Sequence, residues 1–165
     1  MMDRMTFIAL RYDMRTTPTG ADHEALYQTA MDQIRWADQL GLDAVVLSEH
    51  HVSEEGYLPS PLVMAGAVAG ATDRFTIMLA ALVAGLQHPI RLAEDLAVLD
   101  HLASGRVLAV LGIGYRPIDL EVSGADRSRR GPLLEGLVGV LRQAWPGQPS
   151  GSRWPRVVVR ALPPT

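Results

Sequence analysis

Residues 44–56 read AVVLSEHHVSEEG, and they join a buried-strand pattern to a cluster of ionisable side chains. The run from Ala44 to Ser48 is mostly apolar and β-branched, which is typical of a strand covered on both faces of a sheet. Two adjacent histidines, His50 and His51, follow almost directly. Parallel α/β sheets hold their catalytic groups just beyond the carboxyl ends of strands. The stretch therefore predicts an α/β fold whose functional edge lies at this point.

Strand-like and helix-like segments alternate along most of the chain. Further apolar runs predict strands at Met5–Leu10, Phe75–Ala84 and Arg106–Leu111, and helical periodicity begins near Asp22, Pro61, Pro89 and Pro132. Such alternation predicts a parallel sheet with right-handed crossovers. Two architectures remain open at this point: a small doubly wound sheet, or half of a (β/α)8 barrel, which needs about 250 residues.

The predicted organisation changes near residue 147. Residues 1–147 hold about four βα units and form the main domain. Residues 148–165 are rich in proline and contain one apolar run, Val157–Val159. We interpret this last segment as a C-terminal β-arm or an unfolded tail.

Composition excludes several classes of function. The 165 residues include no cysteine and no lysine, which rules out disulfides, thiolate metal sites, cysteine nucleophiles and Schiff-base chemistry. The net charge of −3 offers no basic surplus for nucleic acid or for an anionic membrane surface. The N-terminus lacks the pattern of a signal peptide, and no apolar run approaches the roughly 20 residues of a membrane span. We therefore expect a cytoplasmic protein.

The Glu49-His50-His51 cluster could suggest a metal site, but its spacing argues against one. Adjacent side chains on an extended segment point to opposite faces, so the two imidazoles cannot both reach one ion without a sharp bend. We therefore predict no metal. A single histidine facing the mouth can act as a general base near neutral pH, while a purely structural role for the pair also remains open.

Two further stretches end strands with small residues. Gly112-Ile113-Gly114 lacks the third glycine of a dinucleotide fingerprint, so it indicates either a tight turn or a close backbone approach to a ring or phosphate. Ala80-Ala81 fits either core packing or a space for a flat ligand. His88, before Pro89, fits a helix cap and turn.

These stretches together resemble one family. The residues EHH at 49–51, HPIRLAEDLAVLDHLASGR at 88–106 and GIGYRP at 112–117 are similar to those of the bacterial luciferase-like flavin-dependent monooxygenases. The resemblance covers roughly residues 5–145. It implies a partial (β/α)8 TIM barrel of about four βα units plus a C-terminal arm. It also implies reduced FMN or a deazaflavin as cofactor, and a small organic substrate with dioxygen as partners.

The resemblance also implies roles for individual residues. His50 matches the family's catalytic or flavin-side histidine. Ala80 and Ala81 match the strand end beneath the flavin ring, where family members often carry a non-prolyl cis peptide bond. Gly112 and Gly114 match positions beside the flavin. Arg106 matches a position that we interpret as structural, and Ile113 departs from relatives that carry arginine there.

The length of the chain leads to a further expectation. Val157–Val159 resembles the segment just before the family's fifth strand, so the chain is expected to stop about half way round the barrel. A half barrel exposes sheet edges and an apolar face, which favours homo- or heterodimers. We expect the isolated chain to bind flavin weakly or not at all. The alternative function is a non-catalytic remnant or pairing subunit that acts through protein contacts.

Overall fold

The structure, a computed structural model, describes residues 6–16, 20, 22–145 and 156–159, with only the backbone described in the last range. Strands and helices alternate, as the sequence predicts. The strands are β1 (Ala9–Tyr12), β2 (Ala44–Leu47), β3 (Thr76–Val83), β4 (Val107–Gly112) and β5 (Arg156–Val159). The helices are α1 (His23–Leu40), α2 (Pro61–Ala71), α3 (Pro89–Leu102), α4 (Pro117–Glu121) and α5 (Arg130–Ala144), with 3₁₀ turns at Ala84–Leu86 and Arg127–Arg129.

The described strands form one parallel sheet in the order β1-β2-β3-β4-β5. A doubly wound sheet reverses its strand order at a switch point, whereas the strands of a (β/α)8 barrel follow one another round the sheet. The sequential order therefore matches part of a barrel and decides between the two architectures that the sequence left open.

The apolar run Val157–Val159 lies within β5 and pairs with β4. The expectation that this run precedes a fifth strand is therefore wrong, because it is itself the fifth strand of the sheet. Of the two interpretations of the C-terminal segment, the strand pairing agrees with a β-arm. The predictions for residues 148–155 and 160–165 lie outside the described residues.

Helix α1 shows how local sequence sets the element boundaries. Asp22 caps its first turn by accepting a hydrogen bond from the backbone N–H of Glu24 at 3.1 Å. Gly41 ends the helix with φ of 81°, a left-handed conformation that glycine adopts without strain. Helical spacing in the sequence predicts one buried apolar stripe on α1, formed by Leu26, Ala30, Ile34, Ala37 and Leu40. Leu40 is instead 58% exposed. At 3.6 residues per turn Leu40 lies about 120° round the helix from the buried Ile34.

Asp38, buried near the end of α1, connects this helix to the start of β3. Its carboxylate accepts hydrogen bonds from the backbone N–H groups of Asp73, Arg74 and Phe75, at 3.0, 3.0 and 2.8 Å. Burial raises the pKa of Asp38, but these bonds and the charge of Arg74 outweigh burial, so the pKa lies below its usual value. The folded state therefore stabilises the ionised carboxylate.

Asp38→Asn is expected to lower the free energy of unfolding by about 1–3 kcal/mol at neutral pH, because one accepting oxygen becomes an NH₂ group facing a backbone donor. A depressed pKa contributes stability above the unfolded value of about 3.9, and that contribution is lost as the pH falls through the lower folded pKa. The difference in the free energy of unfolding between wild type and Asp38→Asn should therefore become smaller below about pH 4.

Urea unfolding at several pH values would measure this effect. Asp32→Asn is the matched control, since Asp32 lies on the same helix, has a side chain that is 78% exposed, and pairs with Arg35. Equal losses in the two variants would contradict the role assigned to Asp38.

Arg106 also stabilises the amino edge of the sheet, where β3 begins. Its guanidinium donates to the backbone oxygens of Ala69, Thr72 and Phe75 and to the hydroxyl of Thr72, at 2.8–3.3 Å. These are the last turn of α2 and the residues that lead into β3. The structural interpretation of Arg106 therefore agrees with its contacts, which lie at the amino edge of the sheet.

The two faces of the sheet are covered unequally. Ile77, Leu79, Ala109 and Leu111 are buried and belong to the core that packs against the helices. The residues that alternate with them stay partly exposed on the opposite face, where the strand register aligns Val46, Met78 and Leu108. In a complete barrel this second face is the interior. No helix among the described residues is long and apolar enough to cross a membrane.

Candidate active site

The residues singled out by sequence meet at the carboxyl edge of the sheet. Glu49, His50 and His51 follow β2, Ala80-Ala81 lies near the end of β3, and Gly112 ends β4. Because parallel strands bring their carboxyl ends to one edge, these segments share a mouth. The loop after β2 reaches residues that follow β4, and so it crosses the end of the intervening strand β3.

His50 lies at the centre of a set of polar and aromatic contacts. Its Nδ1 atom is 2.9 Å from Oδ2 of Asp119, and its Nε2 atom is 3.3 Å from the hydroxyl of Tyr115. The ring also makes edge-to-face contacts with Tyr57 and Tyr115, with centroid separations of 4.5 and 5.4 Å. A carboxylate only accepts hydrogen bonds, so Nδ1 carries a proton and Nε2 can act as a base.

Asp119 is the central residue that the sequence reasoning missed. Its side chain is 1% exposed, and Oδ1 accepts a hydrogen bond from the backbone N–H of His51 at 3.0 Å. The guanidinium of Arg116 lies 3.4 Å from the same oxygen. Asp119 therefore fixes both the imidazole of His50 and the backbone that carries it.

The polar residues that follow Tyr115 predict a loop to about Arg130. This prediction is wrong, because helix α4 begins at Pro117 and places Asp119 in its first turn. Proline is favoured in the first turn of a helix, where its missing N–H costs nothing. Pro117 was therefore the available signal for this helix. Sequence alone still offered no means of pairing Asp119 with a histidine on another loop.

His51 faces a different carboxylate from His50. Its Nε2 atom lies 3.2 Å from Oε1 of Glu49, which also accepts a hydrogen bond from the side chain of Gln87 at 3.1 Å. The other oxygen of Glu49 accepts from the backbone N–H of Val83 at 2.6 Å. Burial raises the pKa of Glu49, and the hydrogen bonds with Val83 and His51 oppose that rise without reversing it. Glu49 thus ties the loop after β2 to the end of β3.

The two histidines therefore point to separate partners, as the alternation of an extended segment predicts. Among the residues that the structure describes, no group of three or more His, Asp or Glu side chains could hold a metal ion. His88 accepts a hydrogen bond from the backbone N–H of Arg91 at 3.4 Å and so caps α3. This contact supports the cap interpretation of His88.

Small residues lie near the carboxyl ends of the neighbouring strands β3 and β4, at the mouth. The peptide bond between Ala80 and Ala81 is cis, as the family resemblance led us to expect. The register in which β3 pairs with β4 shifts between Ala80 and Leu82. Ala80, Ala81, Gly112 and Gly114 are all partly exposed, and none carries a side chain larger than a methyl group. We call these four residues the small-residue shelf.

Close packing against β3 explains why glycine occupies positions 112 and 114 of the shelf. A Cβ atom at Gly112 would lie 3.2 Å from Cβ of Ala81, and one at Gly114 would lie 2.8 Å from Cγ1 of Val83. Gly114 also has φ of 75°, which disfavours any residue with a side chain. The glycines therefore let the ends of β3 and β4 approach closely.

Gly114→Ala is expected to lower the free energy of unfolding by about 2–4 kcal/mol, because a left-handed conformation and a steric overlap are combined. Gly124→Ala is the matched control, with φ of 69° but no atom within 4 Å of the added Cβ. The control should lose only the conformational part, about 1–2 kcal/mol. Thermal and urea unfolding of both variants would measure the difference, and equal losses would show that contact with Val83 has no cost.

Comparison with known proteins identifies the family. The profile of the luciferase-like monooxygenases matches residues 2–164. The chain belongs to this family. A curated relative in this luciferase-like group is the alkanal monooxygenase alpha chain of Photorhabdus laumondii, which is 34% identical over 108 residues. The match covers 66% of this chain but only 30% of the relative, so the chain spans about a third of that protein's length.

Three solved structures share the fold. Monooxygenase RslO1 from Streptomyces bottropensis superposes with a TM-score of 0.84 at 21% identity, covering 93% of this chain and 53% of that one. The oxygenating constituent of 3,6-diketocamphane monooxygenase from Pseudomonas putida, solved with FMN, gives 0.76 at 20% identity over 84% and 39% of the two chains. An F420-dependent secondary alcohol dehydrogenase gives 0.69 at 20% identity over 86% and 42%. The family and the partial-barrel fold predicted from sequence are thus confirmed.

Proposed function

We propose that this chain carries the histidine side of a flavin-dependent oxidoreductase site, with His50 as its catalytic base. The observation that carries the proposal is the Asp119–His50 pair at the carboxyl edge of the sheet, at 2.9 Å. A buried carboxylate that accepts the hydrogen bond of one imidazole nitrogen keeps a lone pair on the other nitrogen, which can take a proton, and stabilises the imidazolium that forms. His50 is the residue that the family resemblance independently assigns to the flavin side.

The small-residue shelf is the proposed floor for the cofactor. Its four members carry no bulky side chains near the carboxyl ends of β3 and β4, which fits a planar ring laid across them. One structural neighbour was solved with FMN and another is an F420-dependent dehydrogenase, so the proposed cofactor is reduced FMN or a deazaflavin. When bound, such a cofactor supplies electrons to dioxygen or a hydride to the substrate. His50 then accepts or returns a proton at Nε2, and Asp119 holds the ring in place.

Two parallel assays test this function in the purified chain. One measures substrate-dependent consumption of dioxygen with chemically reduced FMN, and the other measures anaerobic reduction of a deazaflavin by small alcohols and aldehydes. The isolated chain is expected to bind flavin weakly or not at all, so both assays use millimolar cofactor. Measurable turnover in one of them would support the function and distinguish monooxygenation from hydride transfer. A folded chain that is inactive in both, across a panel of small carbonyl compounds and alcohols, would contradict a catalytic function.

The partly exposed face of the sheet favours a second candidate, a non-catalytic pairing subunit. Val46, Met78 and Leu108 lie in one row on the face away from the helices and remain partly exposed. A homo- or heterodimer that covers this row would bury apolar surface, and each Å² buried contributes about 25 cal/mol of favourable free energy. Size-exclusion chromatography with light scattering discriminates the candidates, since a stable monomer at micromolar concentration argues against the pairing function.

A further inference from the structure

Both ring nitrogens of His50 are already engaged in this site. Nδ1 meets Asp119, Nε2 meets the hydroxyl of Tyr115, and the side chain is only 14% exposed. Tyr57 covers the ring from another side. A substrate at the mouth therefore meets little of the imidazole itself.

Tyr115 is the exposed member of this set. The residue is 66% exposed, while its hydroxyl lies 3.3 Å from Nε2 of His50. The neighbouring Arg116 does not compete for the imidazole, because its guanidinium is directed to Asp119 and to the backbone oxygen of His51 at 3.3 Å. Asp119, His50 and Tyr115 thus form a hydrogen-bonded chain in which Asp119 is buried and Tyr115 is exposed at the mouth.

We propose that Tyr115 is the catalytic residue that contacts the substrate, and that it relays a proton between the substrate and His50. This role rests on the proposed function and adds a residue that the family resemblance did not assign. In the relay the O–H bond of a substrate hydroxyl breaks and its proton passes to the Tyr115 oxygen. The original Tyr115 proton passes to Nε2 of His50, and Asp119 stabilises the resulting imidazolium. Charge balances without any change in oxidation state.

This arrangement indicates the chemical class of the substrate. A phenol hydroxyl exchanges protons with another oxygen acid, so the substrate presents an alcohol, or the hydroxyl of a hydrated carbonyl, to Tyr115. The same path run in reverse returns a proton to a developing alkoxide. A substrate without an oxygen at the reacting carbon gains nothing from the relay.

Tyr115→Phe removes the hydroxyl and keeps the ring contact, so it isolates the relay from packing. We expect kcat to fall about 10–100-fold with little change in KM, because proton transfer by a positioned side chain contributes about 10²–10⁴-fold and a water can replace part of it. The solvent deuterium isotope effect on kcat should also change. Tyr27→Phe, on the outer helix α1, is the matched control and should match wild type.

The ¹⁵N spectrum of the His50 imidazole provides a readout that does not depend on activity. The Nε2 signal should move when Tyr115 loses its hydroxyl and stay in place in Tyr27→Phe. An unchanged Nε2 signal, or an unchanged or raised kcat in Tyr115→Phe, would overturn the relay and make Tyr115 a mere cover over His50. If the wild-type chain has no flavin-dependent turnover, the proposed function fails separately, and the imidazole signal alone decides whether the Tyr115–His50 pair exists.

Discussion

His50→Ala is expected to lower kcat by about 10²–10⁴-fold, the range that a positioned general acid or base contributes. Alanine removes the atom that takes the proton in the proposed mechanism, and it leaves Asp119 without its imidazole partner. The ring makes edge contacts rather than filling the core, so the secondary structure should survive. Turnover in the productive assay, with circular dichroism of the same sample, would measure both effects.

His101→Ala is the control for this substitution. His101 is an exposed histidine in the last turn of α3, at the opposite edge of the sheet from the mouth. The control should keep wild-type turnover. Unaltered turnover in His50→Ala would remove His50 from the mechanism, whatever the control shows.

Asp119→Asn is expected to lower kcat by about 10²–10⁴-fold through the imidazole rather than through contact with the substrate. An asparagine amide can donate as well as accept, so it can stabilise the tautomer with the proton on Nε2, and that tautomer cannot act as a base. In serine proteases the equivalent change in the triad costs about 10⁴-fold in kcat for the same reason. We therefore regard Asp119 as a positioning residue.

Two readouts separate positioning from simple loss of stability. The ¹⁵N signals of His50 should show the proton moving from Nδ1 to Nε2 in Asp119→Asn, and kcat should fall further than any rise in KM explains. Asp95→Asn is the matched control, since Asp95 lies on α3 and forms an i,i+4 pair with an exposed Arg91. A normal kcat per folded molecule in Asp119→Asn would contradict the positioning role.

Local patterns predicted most of the framework. Pro61 marked the start of α2, and Asp22 and Gly41 bounded α1, because caps and first-turn prolines act over only a few residues. Ser60, which the sequence predicts as the cap of α2, makes no capping hydrogen bond through its side chain. Strand positions were within about four residues, although β1 begins later than predicted. Period and capping are properties of short windows, so a single sequence carries them directly.

The site was only partly predictable, because its contacts join residues that are far apart in the sequence. Asp119 and His50 are separated by 69 positions in the chain, and their contact depends on α4, which is too short to show a clear period. The close approach of Gly114 to Val83 likewise arises only when β3 and β4 pair. Long-range pairing of side chains is a property of the folded sheet, and so neither Asp119 nor Tyr115 stood out.

A nuclear magnetic resonance titration tests most directly whether the mouth of this sheet is a flavin site. Chemically reduced FMN and, separately, a deazaflavin would be added without oxygen to the ¹⁵N-labelled chain, because this titration detects binding as weak as millimolar. We predict saturable shifts at His50 and at the small-residue shelf, Ala80, Ala81, Gly112 and Gly114. The absence of shifts there with both cofactors at millimolar concentration, or shifts confined to residues elsewhere, would contradict the proposed site.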